Sequence, residues 1–159
     1  MGSNPSATVR IAAPIDVVWS VMLDTDRYPE WNPFITEVET DGPPEVGRAL
    51  RLHVAFTGGK QVMSPERITA VEPPAGSGSH REARLTYVYE WWPSRLRLVR
   101  GTRHQRLTEE DVGTTRYETV EEFSGPLVAL GGPDRVADGF RRHAEALKER
   151  AESLARRTR

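Results

Sequence analysis

Hydrophobic positions follow helical spacing near both ends of the chain and alternate with polar positions in between. Near the N-terminus, Pro14 suits the first turn of a helix, and the apolar positions after it predict a helix over residues 14–23. Near the C-terminus, Asp134 is a good N-cap. The apolar stripe that follows it predicts a long amphipathic helix over residues 134–155. The residues of this stripe are Val136, Phe140, Ala144, Leu147, Ala151 and Leu154.

The remaining pattern is typical of β-structure, because β-branched and aromatic residues alternate with polar ones. Pro65 falls inside one alternating segment, where a proline indicates an edge position or a bulge. Pro29 and Pro33 leave residues 30–34 as a loop or a single turn, and residues 72–79 are a loop rich in Pro and Gly. The predicted strands cover residues 7–11, 35–39, 50–56, 61–71, 84–92, 101–108 and 114–124.

One strand, one helix, six strands and one long helix therefore follow one another along the chain. This order predicts an α+β fold in which the helices lie on one face of an antiparallel sheet of six or seven strands. A long helix that crosses a curved sheet leaves a cleft, in which we expect a cavity of about 300–1,000 Å³. The 159 residues fit one domain, 1–159, with residues 1–6 and 156–159 expected to be disordered.

Composition excludes several classes of protein. The 22 basic and 23 acidic side chains nearly cancel, so no electrostatic footprint for nucleic acid is present. The chain lacks cysteine, which excludes disulfides, thiolate metal sites and a cysteine nucleophile. Its apolar runs are far shorter than the ~20 residues of a membrane helix, and its N-terminus does not resemble a signal peptide. We expect a cytoplasmic protein without an integral membrane segment.

Motifs that carry known chemistry are also missing from the sequence. It contains no G-x-S-x-G, no P-loop and no Gly-rich dinucleotide fingerprint, which disfavours serine hydrolysis, phosphoryl transfer and NAD chemistry. The four histidines are His53, His80, His104 and His143, and no two of them have metal-ligand spacing on one element. We therefore expect neither a metal site nor a cofactor.

Aromatic residues are the first candidates for a binding site. Tyr87, Tyr89 and Trp91 alternate along one strand and so share one of its faces. If that face is concave, the three line a cavity, and the phenol hydroxyls serve as hydrogen-bonding groups. The alternative is a core filled by side chains. Trp31 and Phe34 lie in the loop after the first helix, where they either form a pocket wall or pack the helix against the sheet.

A strip of polar residues on two neighbouring strands is the second candidate site. Glu121 shares a strand face with Tyr117, Thr119 and Phe123, and a buried carboxylate is costly unless it is paired. Arg103 on the preceding strand is its natural partner. Such a pair either orients a polar ligand group, acts as a catalytic acid and base, or only holds the structure together. The remaining expected ligand-binding residues are Gln105, which extends the strip, and Phe140 on the long helix.

Two motifs near the N-terminus resemble a known superfamily. Residues 13–19 read APIDVVW and residues 28–34 read YPEWNPF. Together they resemble the START-like, Bet v 1-like superfamily, and more narrowly its bacterial polyketide cyclase/dehydrase and lipid-transport branch. Residues 121–125 and the Gly139-Phe140 pair agree with this resemblance, which extends roughly over residues 7–152. It implies a helix-grip fold and a cavity for a hydrophobic ligand.

The sequence departs from this family's pattern inside the expected cavity. Arg103 and Gln105 stand where relatives carry a histidine and a phenylalanine, and Thr119 stands where relatives often carry a histidine. The resemblance therefore implies a cavity more polar than usual, and the acid–base groups of relatives do not transfer to this chain.

Three functions remain open from the sequence. The first is binding of a hydrophobic or amphipathic small molecule, such as a lipid, a polyketide or an aromatic metabolite. The second is a polyketide cyclase, aromatase or dehydratase, which needs a proton donor and acceptor near a bound carbonyl. The third is a protein-interaction module of the chaperone-activator type. The expected partner is a hydrophobic small molecule, and the chain is expected to be a monomer or a homodimer.

Overall fold

The computed structural model describes residues 4–78, 80–90, 100–126 and 132–158. Seven strands form one antiparallel sheet in the order β1-β7-β6-β5-β4-β3-β2. The strands are β1 (Ser6–Ile11), β2 (Ile35–Glu39), β3 (Ala49–Ala55), β4 (Gln61–Ala75), β5 (Glu82–Tyr89), β6 (Arg100–Asp111) and β7 (Thr114–Ser124). The helices are α1 (Ile15–Leu23), α2 (Tyr28–Trp31) and α3 (Pro133–Arg157), and a 3-10 turn covers Thr25–Arg27.

The long C-terminal helix α3 packs along the concave face of the sheet and against α1. Its predicted apolar stripe is buried from Val136 to Ala151, with Phe140 1% exposed and Leu147 fully buried. Strand β6 alternates between buried and more exposed residues, which sends every second side chain towards α3. The predicted α+β fold, a helix gripped by a curved antiparallel sheet, is confirmed. In the described part of the chain, no helix is both long and apolar enough to cross a membrane.

Pro65 is not in a bulge and β4 is not an edge strand, but Pro65 lies where the described pairing of β4 with β5 ends, which is an edge position. Strand β4 lies inside the sheet between β3 and β5, and the nearest irregularity of its register comes later, between Ile68 and Ala70. The Pro65 carbonyl accepts a hydrogen bond from the Glu90 N–H at 2.9 Å, just beyond the last β4–β5 register pair, Glu66 and Tyr89. Proline has no backbone N–H. At this position the N–H would point to the end of the paired part of β5, so the sheet tolerates its absence.

Three element boundaries also differ from the prediction. Strand β4 continues to Ala75, so part of the predicted loop over residues 72–79 is sheet. Residues 30 and 31 of the predicted loop or single turn form the end of the one-turn helix α2, and residues 32–34 are not helical. Helix α3 begins at Pro133, with Gly132 as its N-cap in the left-handed conformation (φ 66°). Asp134 therefore lies in the first turn, where a carboxylate still interacts favourably with the helix dipole.

A buried side-chain contact joins the middle of α3 to the segment between α2 and β2. The Asn32 Oδ1 atom accepts hydrogen bonds from the backbone N–H groups of Phe34 (3.0 Å) and Ile35 (2.9 Å). The amide nitrogen of Asn32 therefore faces His143 Nδ1, at 2.9 Å, and donates to it. The imidazole proton consequently lies on Nε2, which has no hydrogen-bond partner among the described residues. Burial, together with the charge of Arg103, holds the pKa of His143 well below its ordinary value.

The same part of α3 also forms hydrogen bonds with the backbone just before β2 and at the end of β3. Arg142 donates hydrogen bonds to the carbonyl oxygens of Pro33 (3.0 Å) and Ala55 (2.9 Å). The Phe34 ring packs directly against Gly139, where a Cβ atom would lie 2.1 Å from ring carbon Cε2. Only glycine allows this close approach, so the helix and the start of β2 have a fixed spacing.

Truncation of the central aromatic residue of α3 should destabilise the fold strongly. Phe140→Ala removes a fully buried ring and leaves a cavity, so we expect the free energy of unfolding to fall by about 3–5 kcal/mol. Urea denaturation measures this change. Val112→Ala, at a side chain that is 98% exposed, is the control and should change it by less than about 0.5 kcal/mol. A loss of under about 1 kcal/mol for Phe140→Ala would show that the stripe is not core.

Acid should destabilise the protein through His143. Since its pKa is lowered in the folded state, the unfolded chain protonates first, and stability is lost as the pH falls below about 6.5. His143→Asn keeps an acceptor for Asn32 but does not titrate. Between pH 7 and pH 5, the free energy of unfolding of this variant should fall less steeply than that of the wild type. The two slopes should differ by up to about 1.4 kcal/mol per pH unit.

Urea denaturation at each pH compares the two slopes, and groups that titrate in both proteins cancel from the difference. His80→Asn, in an exposed loop, should keep the wild-type slope. Equal slopes for the wild type and His143→Asn would contradict a buried neutral imidazole.

Candidate functional site

A buried hydrogen-bond network occupies the concave face where β5, β6 and β7 adjoin. Arg103 on β6 is its centre and is only 4% exposed. Its guanidinium donates from Nε to Thr119 Oγ1 at 3.0 Å, from Nη1 to the Tyr87 hydroxyl at 3.2 Å and from Nη2 to the Tyr117 hydroxyl at 3.4 Å. Gln105 completes the network, because its Nε2 donates to Tyr87 (3.1 Å) and its Oε1 accepts from Tyr117 (2.8 Å). Antiparallel register brings these five residues together, since each has the inward phase of its strand.

Arg103 is a buried cation that has no carboxylate partner in the described part of the chain. Its hydrogen bonds go to neutral hydroxyl groups, and no Asp or Glu oxygen of the described residues lies within 4.0 Å of it. The Phe140 ring covers one face of the guanidinium at 4.3 Å and stabilises it by a cation–π interaction. A guanidinium has five N–H donors. The described residues accept three of them, and one N–H on Nη1 and one on Nη2 have no acceptor among those residues.

The proposed partner Glu121 is directly opposite Arg103 in the β6–β7 register, but the two side chains do not form an ion pair. The half-buried carboxyl group of Glu121 lies over Gly101, where a Cβ atom would be 2.5 Å from Oε1. Glycine at this position therefore gives the carboxyl group room beside β6. Burial raises the pKa of Glu121 to about 7, and the positive charge of Arg103 opposes that rise.

A second carboxyl group, Glu66 on β4, faces the same space. It is buried, and its Oε1 accepts a hydrogen bond from the Ser64 hydroxyl at 2.6 Å. Burial raises the pKa of Glu66 to about 8, although the hydrogen bond from Ser64 lowers it. Burial likewise raises the pKa of Tyr87 to about 12, so this phenol stays protonated. Both lone pairs of its oxygen accept hydrogen bonds from Arg103 and Gln105, which leaves its own O–H to donate elsewhere.

These groups meet at a cavity of about 100 Å³ between α3 and the sheet. The cavity has a polar side and an apolar side. This volume is below the expected 300–1,000 Å³, because large side chains from both α3 and the β2–β4 region project into the cleft. The polar lining is Ser64, Glu66, Tyr87, Arg103 and Glu121, and the apolar lining is Phe34, Ile35, Leu52, Val54, Phe56, Val62, Val136 and Phe140.

The predicted site residues do not all reach this cavity. Trp31 is half-buried between α2 and α3, where its ring packs edge-on against Tyr28 and His143. Tyr89 is half-buried beside Glu66 in the β4–β5 register, and Phe123 is half-buried beside Gly101; neither lines the cavity. Gln105, Tyr117 and Thr119 lie behind Arg103 and support it. Trp91 lies outside the described residues.

The sequence interpretation missed Ser64 and Glu66. A signal for them was present, because the tight turn at Gly58-Gly59 sets the register of the β3–β4 hairpin. That register places Ser64 opposite Leu52 and Glu66 opposite Leu50, and both leucines belong to the apolar phase of their alternating strand. Attention to cross-strand partners would have placed a second carboxyl group inside the fold.

The arrangement suits a polar organic group better than a metal ion. In the ranges that the structure describes, no cluster of three or more His, Asp and Glu side chains has the geometry of a metal site. Arg103 offers two N–H donors, Tyr87 offers one O–H, and two carboxyl groups with pKa values near neutrality can give or take a proton. The site can therefore bind an oxygen-bearing group and exchange protons with it.

Comparison with solved structures identifies the same fold in other proteins. The chain is similar to the Zhui aromatase/cyclase from a Streptomyces species, with 22% identity, a TM-score of 0.61, and coverage of 99% of this chain and 96% of that one. It is also similar to a START superfamily protein from Mycobacterium smegmatis (17% identity, TM-score 0.63, 99% and 100% coverage).

A third similar structure is the di-domain ARO/CYC BexL from a biosynthetic pathway (18% identity, TM-score 0.61). The alignment includes 96% of this chain and spans about half, 50%, of BexL. No curated protein sequence matches the chain.

The family match agrees with the structural one. Polyketide cyclase / dehydrase and lipid transport proteins match residues 5–152, which include every described element from β1 to most of α3. The predicted resemblance to the polyketide cyclase/dehydrase and lipid-transport branch is confirmed by this match, and the fold is shared with a START superfamily protein. The chain belongs to the polyketide cyclase/dehydrase and lipid transport family.

Proposed function

We propose that the protein binds a hydrophobic or amphipathic small molecule in the cavity between α3 and the sheet. The polar part of the ligand contacts Arg103, and its apolar part contacts Phe34, Phe56 and Phe140. The observation that carries this proposal is the unused donor capacity of Arg103 at the cavity wall. A buried guanidinium that only held the sheet together would be expected to have its charge and its N–H groups satisfied by protein groups.

The apolar lining supports an amphipathic ligand. Rings of Phe34, Phe56 and Phe140 pack edge-to-face with centroid distances of 5.8 and 5.9 Å. Ligand sites of this kind combine a mostly apolar wall with a few polar groups that orient the ligand. The observed volume admits only a small group, so a larger ligand requires movement of the wall. Phe56 and Val62 are partly exposed at its rim, and their displacement loses less buried area than movement of a core residue.

Catalysis is the second candidate, as a cyclase, aromatase or dehydratase. The observation that favours it is the presence of two carboxyl groups with pKa values of about 7 and 8 beside Arg103 and Tyr87. Such values suit general acid–base catalysis at neutral pH. Arg103 and the Tyr87 O–H would stabilise negative charge that develops on a carbonyl oxygen. The fold similarity to aromatase/cyclases supports this candidate by analogy alone.

Filling the cavity should abolish ligand binding and leave the fold intact. Val62→Trp places an indole at the cavity rim from a position that is 37% exposed, so the larger side chain is tolerated there. Met63→Trp adds the same group at the next residue, which points to the opposite face. We expect Val62→Trp to weaken binding of the neutral fluorophore phenylnaphthylamine by at least about tenfold, which corresponds to about 1.4 kcal/mol.

Fluorescence titration measures the affinity, and native mass spectrometry of the purified protein detects any ligand that copurifies. Met63→Trp should bind as the wild type does. Equal binding by both variants would place the ligand outside this cavity.

If the protein is an enzyme, loss of its proton-transfer groups should reduce turnover. Glu121→Gln and Glu66→Gln keep the shape of each side chain and remove its acid–base chemistry. With a polyketide substrate whose carbonyl groups alternate with methylene groups, we expect kcat to fall by about 10²–10⁴ for the residue that transfers the proton, with the substrate still bound. Glu122→Gln, on the outward face of the same strand, is the matched control. Unchanged kcat in both site variants would reject the acid–base role.

A further inference from the structure

The charges around the cavity are unevenly matched. Arg103 is a permanent cation, because guanidinium is not deprotonated in proteins. The carboxyl groups of Glu66 and Glu121 are the acidic groups in the described lining, and burial favours the neutral form of each. One carboxyl oxygen of Glu66 also accepts a hydrogen bond from the Ser64 hydroxyl. The cation is therefore compensated only in part by the protein itself.

The position of Glu121 explains why it does not fully compensate the positive charge of Arg103. Its carboxyl group occupies the space over Gly101, more than 4.0 Å from any guanidinium nitrogen of Arg103, which instead leans towards Thr119, Tyr117 and Tyr87. The two side chains do not form an ion pair, although their backbones are paired. Among the described residues, one N–H on each terminal nitrogen of Arg103 has no acceptor, and a carboxylate uses two such N–H groups in a two-bond pair.

We propose that the ligand carries a carboxylate that forms this two-bond pair with Arg103, and that Glu121 takes up one proton from solvent when the ligand binds. This inference rests on the proposed binding function and specifies the chemistry of the ligand's polar end. No covalent bond changes. The bound state contains one guanidinium, one ligand carboxylate and two neutral carboxyl groups. Protonated Glu121 has an O–H with which to donate to the ligand, whereas ionised Glu121 would repel it.

Two isosteric probes test the proposal on the wild-type protein. Benzoate and benzamide have the same shape and differ in charge, and benzoate is ionised at every pH above about 5. Their dissociation constants are measured by NMR titration at pH 6.0, 7.0 and 8.5. We expect benzoate to bind at least about tenfold more tightly than benzamide at pH 6.0. Its affinity should fall as the pH rises, by up to about tenfold per pH unit for one linked proton, whereas the affinity of benzamide should stay constant.

A pair of variants on β7 assigns the proton. Glu121→Gln cannot ionise, so the affinity of benzoate should fall less between pH 6.0 and pH 8.5 than it does in the wild type, and the fall that remains is due to Glu66. Glu122→Gln removes a carboxylate from the outward face and should keep the wild-type pH profile. Thermal melts confirm that both variants fold, and the wild-type comparison of the two probes stands whether or not they do.

The outcomes separate the failure of this inference from the failure of the proposed function. Equal affinity for benzoate and benzamide at pH 6.0, or a benzoate affinity that does not change with pH, would overturn the carboxylate proposal. So would an unchanged pH profile in Glu121→Gln. If phenylnaphthylamine binds and benzoate does not compete with it, the cavity binds ligands but not through a carboxylate. If none of the three probes binds, the proposed function itself fails.

Discussion

The structure depends on how one buried positive charge is stabilised. Arg103 lies between the sheet and the ring of Phe140, with three neutral hydroxyl groups as hydrogen-bond acceptors. Desolvation of a charge is expensive unless hydrogen bonds replace water, so Tyr87, Tyr117 and Thr119 must hold their positions. Their phase on β5 and β7 in turn requires the observed register of the sheet. The same contact with Phe140 couples the site to α3, and therefore binding chemistry and fold stability share residues.

The loop before β2 shows how α3 shapes the cavity from the other side. Asn32 satisfies two backbone N–H groups at the start of β2 and uses its remaining amide donor on His143. Phe34 is thereby fixed as a cavity wall. Because the imidazole must stay neutral to accept this hydrogen bond, the wall depends on a titratable group that has no direct contact with the cavity. Different residues therefore support the apolar wall and the polar network: Asn32 and His143 support the wall, and the hydroxyl partners of Arg103 support the network.

Periodicity and short motifs were enough to predict the order of elements, the long apolar stripe of α3 and the family. These features depend on local residue patterns, and the structure reproduces them. The details of the site depend on contacts between distant strands. Glu66 was missed because its inward position follows from hairpin register, and the absence of an Arg103–Glu121 ion pair follows from the space above Gly101. The small cavity volume reflects how side chains from several elements interdigitate, which no single segment reveals.

The contact between Phe34 and Gly139 has a consequence for how this chain can change over evolution. The ring occupies the volume that any side chain at position 139 would need, although the two positions are 105 residues apart in the sequence. A larger residue at 139 is therefore compatible only with a smaller one at 34. The ring of Phe34 also borders the cavity. Such an exchange would therefore make the side chain in the cavity wall smaller and the side chain on the helix larger. Paired substitution at these two positions offers a route by which relatives of this protein could enlarge the cavity without changing the backbone.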